Sequence, residues 1–333
     1  MSGRAAAAAV FVLASLAAAP AAAGDGPMPG AQQLGSGVLS SDGTARYVAV
    51  GVGSDTSLLR IEAKTGFVQQ SSDLVGMWGV PVATYSNQAG EGLTVDGRSL
   101  VLADIQTSYP RTSSAFSILD TRFMRARLTF SLKGDFAYDA ISPNGKRLYL
   151  IQHVDPSDTQ HYVVREYDVA AGRLLPGRIA DRTQKGWVMQ GYPLARTMSG
   201  DGRWVYTLYQ NPGGFPFVHA LDTVRGVAHC VGLPWAGSQD GMGNMRLSLR
   251  NHERTLAVHW LSGRPWRVVD TATWRTSLDH RTGVPWFGLG AGGAGALAAA
   301  AAWLLARRRR RHRLELEHEL SELLRSPERV PVS

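Results

Sequence analysis

Four sets of chemistry-bearing residues recur along this 333-residue chain: Glu91, then Tyr138 with Asp139, then Tyr192 with Arg196, then Asn244 with Arg246. Each set stands just ahead of a short apolar stretch. Carboxylates that converge with an arginine and a tyrosine could hold a polar ligand or a divalent ion, or act as an acid/base pair on a glycan. The same residue types also serve only to satisfy strand edges and channel water. Which applies depends on whether the fold brings the four sets to one place.

Little else in the sequence offers chemistry. There is no His-Glu-x-x-His, no Gly-x-Ser-x-Gly elbow, no phosphate-loop glycine pattern and no Cys-x-x-Cys. Cys230 is the single cysteine, so no intrachain disulfide can form. It follows His229 directly on a strand-like run, where neighbours point to opposite faces, so the two do not form a thiolate–imidazole pair and Cys230 reads as a buried structural residue. His153, Asp155, Asp158 and His161 sit close enough in sequence to suggest a metal site, but a hydrophilic loop accounts for them better. No cofactor is implied.

The elements that must position the four sets are strands. A turn dipeptide or its degenerate form falls at Asp42-Gly43, Asp96-Gly97, Asn144-Gly145, Asp201-Gly202 and Asn251, at spacings of 54, 48, 57 and 50 residues. An alternating apolar run follows each, as in Arg147-Leu148-Tyr149-Leu150-Ile151. Asn-Gly between two such runs predicts a hairpin with a type I′ turn, which needs positive φ at both central residues. A second marker, an acidic residue closing a strand, falls at Glu62, Asp120, Asp168, Asp222 and Asp270, at spacings of 58, 48, 54 and 48. Two markers sharing one period of about 52 residues define a repeat. Each copy reads as four antiparallel strands, A to D, with the A–B turn at the Asx-Gly and the acid capping the C–D turn. One such sheet cannot bury both faces, so the copies must stack, and radial stacking gives a propeller.

Ser142-Pro-Asn-Gly-Lys-Arg-Leu-Tyr-Leu150, with Tyr167-Asp-Val-Ala-Ala-Gly172, resembles the YVTN-type β-propeller repeat, related in architecture to TolB-like and WD-repeat blades. The resemblance spans about residues 34–280 and implies an all-β propeller of about five four-stranded blades. It is specific for fold and weak for function. It also implies that residues just ahead of strand A line the mouth of a central channel. That is the place of Glu91, Tyr138, Asp139, Tyr192, Arg196, Asn244 and Arg246. The long D-to-A connections Ser71–Gly92, Arg178–Arg196 and Leu233–Arg246 are expected to be loops on that face.

The ends of the chain carry a different signal. Residues 1–23 combine Arg4, an apolar run and an Ala-rich exit, the pattern of a secretory signal peptide. Residues 24–33 read as a Gly/Pro-rich linker. Residues 284–306 form a 23-residue run without a charge, long enough to cross a bilayer as a helix, with Trp286 and Trp303 near its ends. Residues 307–333 begin with five consecutive arginines, which place this terminus inside. The segment Leu314–Leu324 then sets leucines on one helical face and glutamates on the other.

Charge excludes one class of partner. The formal net charge is +8, but eight arginines against five glutamates in residues 307–333 account for +3 of it. The remaining body is only mildly basic, with no clustered stripe of Lys and Arg, so no nucleic-acid partner is expected. The expected protein is an extracytoplasmic β-propeller of the bacterial cell envelope, anchored by one span. It would act as a binding or scaffold module for an envelope protein or glycan. A propeller hydrolase or lyase using Asp139, Glu91 and Arg196 is the alternative, and a sensor relaying through its cytoplasmic helix a further one.

Overall fold

The computed structural model describes residues 30–280, apart from 34–35, 87–88, 106–109, 159, 182 and 184–187. The segments read as signal peptide, span and cytoplasmic tail lie outside the described residues. No helix among the described residues is long and apolar enough to cross a membrane.

The chain is all-β and lays its strands down as five antiparallel sheets, nearly in sequence order. A short strand, β1 (Gly30–Gln32), comes first. The first sheet is β2 (Val38–Leu39), β3 (Ala45–Val52), β4 (Asp55–Glu62) and β5 (Val68–Leu74). The second is β6 (Trp78–Val82), β7 (Ser99–Asp104), β8 (Ser113–Asp120) and β9 (Arg125–Lys133), with β1 added on the free side of β6. The third is β10 (Phe136–Ile141), β11 (Arg147–His153), β12 (His161–Asp168) and β13 (Arg173–Leu174), with β14 (Met189–Gln190) also on β12. The fourth is β15 (Tyr192–Met198), β16 (Trp204–Gln210), β17 (Phe217–Asp222) and β18 (Val227–Gly232). The fifth is β19 (Met245–Arg250), β20 (Thr255–Trp260), β21 (Pro265–Asp270) and β22 (Thr276–Leu278).

The repeat has a repeated physical cause. In the first four A–B turns a Ser or Thr hydroxyl donates to the Asx side chain: Ser40 to Asp42, Thr94 to Asp96, Ser142 to Asn144 and Ser199 to Asp201, all at 2.6–2.9 Å. The Asx oxygen then accepts the backbone N–H two residues on, as in Lys146 to Asn144 at 3.0 Å. The glycine N–H closes the turn onto the Ser or Thr carbonyl. Only the glycines, Gly43, Gly97, Gly145 and Gly202, have positive φ. The turns are therefore not type I′ as expected. The Ser/Thr–Asx bond is made with the Asx outside the left-handed region, so a single left-handed glycine suffices, as in the three-residue hairpin pattern. The fifth turn, lacking glycine, instead runs Asn251, His252 and Glu253 through the left-handed region at φ 53°, 53° and 67°.

The acids closing strand C do turn chemistry. Asp120, Asp168, Asp222 and Asp270 each accept the backbone N–H groups two and three residues on. The C–D turn is tied to the A–B turn by the same backbone bond in all five sheets: Ala63 to Thr44, Thr121 to Arg98, Val169 to Lys146, Thr223 to Arg203 and Thr271 to Arg254. Both turns of every sheet thus share one rim, and the B–C turns share the other.

Four buried clusters hold the sheets together, one for each successive pair. Tyr47 and Leu58 of the first meet Leu100 and Leu102 of the second. Phe116 and Ile118 of the second meet Phe136 and Leu148 of the third. Tyr149 and Ile151 of the third meet Tyr209 and Phe217 of the fourth, and Leu208 and Val218 of the fourth meet Leu247 and Val258 of the fifth. Each fully buried side chain of this size contributes about 1.5–3 kcal/mol relative to its exposed state. Residues of the first and fourth sheets also line one central cavity, so the sheets are arranged about an axis, as in a β-propeller.

Three expectations about the connections are corrected. Ser71–Gly92 is not one long loop, since β5 runs to Leu74 and β6 occupies Trp78–Val82. The Gly/Pro-rich stretch 24–33 ends in β1, which fills the free edge of β6. In Arg178–Arg196, Met189–Gln190 pairs with β12, and Ile179 forms a single bridge to Val164, so this stretch helps edge the third sheet rather than only lining a mouth.

Candidate functional site

The second sheet departs from the repeat at the axis. Its inner strand pairs with β7 at Trp78 and Gly79, leaves, and returns to pair at Leu93 opposite Leu100. The excursion between, from Ala83 to Gly92, crosses to the fourth sheet: the Tyr85 and Ser86 N–H groups donate to the Pro193 and Leu194 carbonyls at 2.9 and 3.2 Å. A β-bulge at Leu194 opens those carbonyls to it. At Gly90 the excursion passes against Gly37 so closely that a Cβ would stand well inside contact distance of the Gly37 carbonyl. The cost of an excluded side chain here is a requirement for glycine.

The excursion delivers Glu91 to the axis, where Arg196 meets it. Arg196 Nη1 donates to Glu91 Oε2 at 2.7 Å and to the Asp139 carbonyl, Nη2 donates to Asp139 Oδ1, and Nε donates to Thr207 Oγ1 at 2.9 Å. Asp139 reaches the arginine because it is the extra residue of a β-bulge in β10. Strict alternation would turn Tyr138 and Asp139 to opposite faces, and the bulge re-aims one of them. Asp139 is 2% exposed, and its Oδ2 has no hydrogen-bond partner.

Burial raises the Glu91 carboxyl above its ordinary range, and Asp139 adds to the rise while Arg196 opposes it. Burial disfavours the Arg196 charge, but the Glu91 and Asp139 carboxylates outweigh it and keep the guanidinium protonated. The Tyr138 phenol is pushed up by burial and by Glu91.

Above this cluster lies a cavity of about 260 Å³. Glu91, Tyr138 and Arg196 face it, and its walls come from Val38, Leu93, Ile141 and Val205. Ser41, Val95, Pro143 and Gly202, from four successive A–B turns, also line it. The opening is therefore at the end of strand A and not ahead of it as expected. Tyr138, Asp139 and Arg196 are inside inner strands.

Of the seven sequence-predicted residues, Glu91, Tyr138, Asp139 and Arg196 converge. Tyr192 and Arg246 instead brace the excursion: the Tyr192 ring packs edge-on against Tyr85 at 5.7 Å, and Arg246 Nη2 donates to the Ser86 carbonyl at 3.4 Å. Asn244 ends a short 3-10 turn and accepts Leu261 N–H through its carbonyl, away from the cavity.

Thr207 and His219, the middle of a polar row, escaped the sequence reading. Arg196 pairs across strands with Thr207, Thr207 with His219, and His219 with Cys230, so these four cross the fourth sheet in line on one face. Cys230 N–H donates to Asp181 Oδ2 at 2.9 Å. His219 is 1% exposed, and burial lowers its pKa to about 4. Burial pushes the Cys230 thiol up to about 12, so although its Sγ lies 3.5 Å from His219 Nδ1, the pair is a neutral imidazole with a neutral thiol. Only the strand register could have aligned these residues, and hairpin register is not fixed by residue spacing alone.

The metal reading of the third sheet is not supported. His153 lies 3.2 Å from buried Asp135, His161 turns to Asp158, and Asp155 accepts from Ser157. No group of metal-ligating side chains is present among the described residues.

No family model matches the chain, and no curated protein matches it. Solved structures similar to it include hydrazine synthase of Kuenenia stuttgartiensis, at 16% identity over 76% of this chain and 80% of that one, TM-score 0.40. TolB of Acinetobacter baumannii aligns at 12% identity over 74% of this chain and 54% of that one, TM-score 0.38. The Cps50 (Swd1) β-propeller domain of Myceliophteria thermophila aligns at 11% over 73% and 69%, TM-score 0.42. At these scores the likenesses carry no argument, and the assignment to the β-propeller class rests on the sheet order, the shared rims and the inter-sheet cores.

Proposed function

We propose that this protein is an extracytoplasmic β-propeller of the bacterial cell envelope, anchored by residues 284–306, that binds a ligand in its axial cavity. The carrying observation is the cavity of about 260 Å³ with Glu91, Arg196 and Tyr138 on its floor. Three features favour binding over hydrolysis. Asp139 is closed off from the cavity side at 2% exposure. Each carboxylate bonds Arg196 through one oxygen, so both share a single cation. At about 260 Å³ the cavity is just below the usual size of a ligand site and fits one small molecule better than a glycan chain.

The apolar run of residues 284–306 and the arginines after it support a single span with its C-terminus in the cytoplasm. The exit of the chain is compatible with that arrangement. Leu278 pairs with Arg267 near the start of β21, and Asp279 N–H donates to the Trp266 carbonyl, on the rim opposite the cavity mouth.

Ligand-observed NMR with the full chain in detergent tests the binding function. Fragments are expected to bind the wild type, and Thr197→Trp, which fills the mouth, is expected to abolish that binding. Equal binding to both proteins would place the ligand elsewhere. Topology is tested by an impermeant maleimide on intact cells, which labels Thr65→Cys and leaves Ser321→Cys unlabelled if the body is outside and the tail inside.

A further inference from the structure

We infer that the cavity selects a small organic cation, an amine carried on one compact apolar group, with its ammonium seated on Glu91. The inference rests on the reading of the cavity as a ligand site and adds the class of ligand.

The charge of the floor argues for it. One guanidinium faces two carboxylates, Glu91 and Asp139. A ligand carrying a positive charge completes this set, whereas an anion would add to the excess. Arg196 has at most one N–H left for an anion. Its Nε is held by Thr207, its Nη1 by Glu91 and the Asp139 carbonyl, and its Nη2 by the Asp139 carboxylate. Its side chain borders the cavity but is 7% exposed, and the two-pronged donor face that recognises carboxylate or phosphate is already occupied by protein groups.

Glu91 is the available acceptor. Among the described residues it is the only carboxylate lining the cavity, and 23% of its side chain is open. One of its oxygens is used by Arg196, and its carboxyl is raised by burial, so the ionised form is short of partners that a bound cation would supply. Tyr138 is the weaker seat for the cation, because burial holds its phenol neutral and it has no charge to pair with an ammonium. The walls offer apolar contact from Val38, Leu93, Ile141 and Val205, and the volume suits one ring-sized body.

Isothermal titration calorimetry on the full chain in detergent decides the matter with three probes that share one body: 2-phenylethylamine, 2-phenylethanol and phenylacetate. The amine is expected to bind at least tenfold more tightly than the alcohol, and phenylacetate not to bind. Glu91→Gln is expected to bring the amine down to the affinity of the alcohol. Equal affinities of amine and alcohol for the wild type, or tighter binding of phenylacetate, overturn the cation inference while the ligand site stands. No binding by any probe overturns both. The wild-type comparison needs no variant to fold, and amine affinity unchanged in a folded Glu91→Gln also overturns the inference.

Discussion

Arg196 on the fourth sheet donates to Glu91, 105 residues earlier in the chain, at 2.7 Å. The bond joins an inner strand to the excursion that interrupts the inner strand of the second sheet. It is also the contact that closes the floor of the cavity.

Removal of that arginine leaves two carboxylates at the axis without their cation. Breaking a buried pair from one side costs about 3–5 kcal/mol, whereas replacing the whole pair is often neutral. Arg196→Ala is expected to lose that much in urea unfolding. The double variant Arg196→Met with Glu91→Gln is expected to recover part of it. A loss under about 1 kcal/mol for Arg196→Ala would show the cluster to be solvated, as surface pairs are.

His219 gives the fold a predictable acid sensitivity. Its pKa is near 4 folded and 6.5 unfolded, so between these values the unfolded chain binds the extra proton and stability falls as pH falls. The expected loss from pH 7 to pH 5 is about 2 kcal/mol from this residue. Glu91, with a raised carboxyl, acts in the opposite sense and loses stability as pH rises through its folded pKa. Asp135 and Asp222, held below the carboxylate range, lose theirs only at lower pH. Comparison of wild type with His219→Gln at pH 7 and pH 5 checks the sign: the variant is expected to show the smaller decline.

Gly90 tests whether the excursion depends on close approach. Gly90→Ala drives a methyl into the Gly37 backbone, and overpacking of this kind costs about 1–3 kcal/mol. Gly232→Ala meets nothing within 4 Å and has no left-handed φ, so it is expected to be neutral or stabilising by up to about 1 kcal/mol. Thermal unfolding of the two variants separates steric cost from a general effect of losing glycine.

The fifth A–B turn can be improved. His252 holds φ 53° between two other left-handed residues. His252→Gly is expected to stabilise by about 1 kcal/mol, because glycine adopts that region without the Cβ clash. A decrease in midpoint denaturation would mean that the imidazole makes a contact worth more than the strain.

Much of this protein is local. Each A–B turn is closed by residues two to five apart, as in Ser142, Asn144, Gly145 and Arg147, and the four aspartates of the C–D turns cap the N–H groups two and three residues on. Such bonds need no tertiary context, so the repeat, its strand order and its period were readable from residue types. The sequence also brought Glu91, Tyr138, Asp139 and Arg196 forward as one candidate group. It could not separate them from Tyr192, Arg246 and Asn244, which stand at equivalent points of the repeat.

That separation was made by features that break the repeat and arise only when the sheets pack. The bulge at Asp139 turns a strand residue toward the axis. The excursion passes the Gly37 backbone of a neighbouring sheet only because Gly90 carries no side chain. The register across the fourth sheet puts Thr207 and His219 in line with Arg196. The residue order determined a repeat of four-stranded sheets that must stack, because turn chemistry acts over a few residues. Tertiary structure alone decided where its charges meet, because burial, close approach and cross-strand register are properties of sheets in contact.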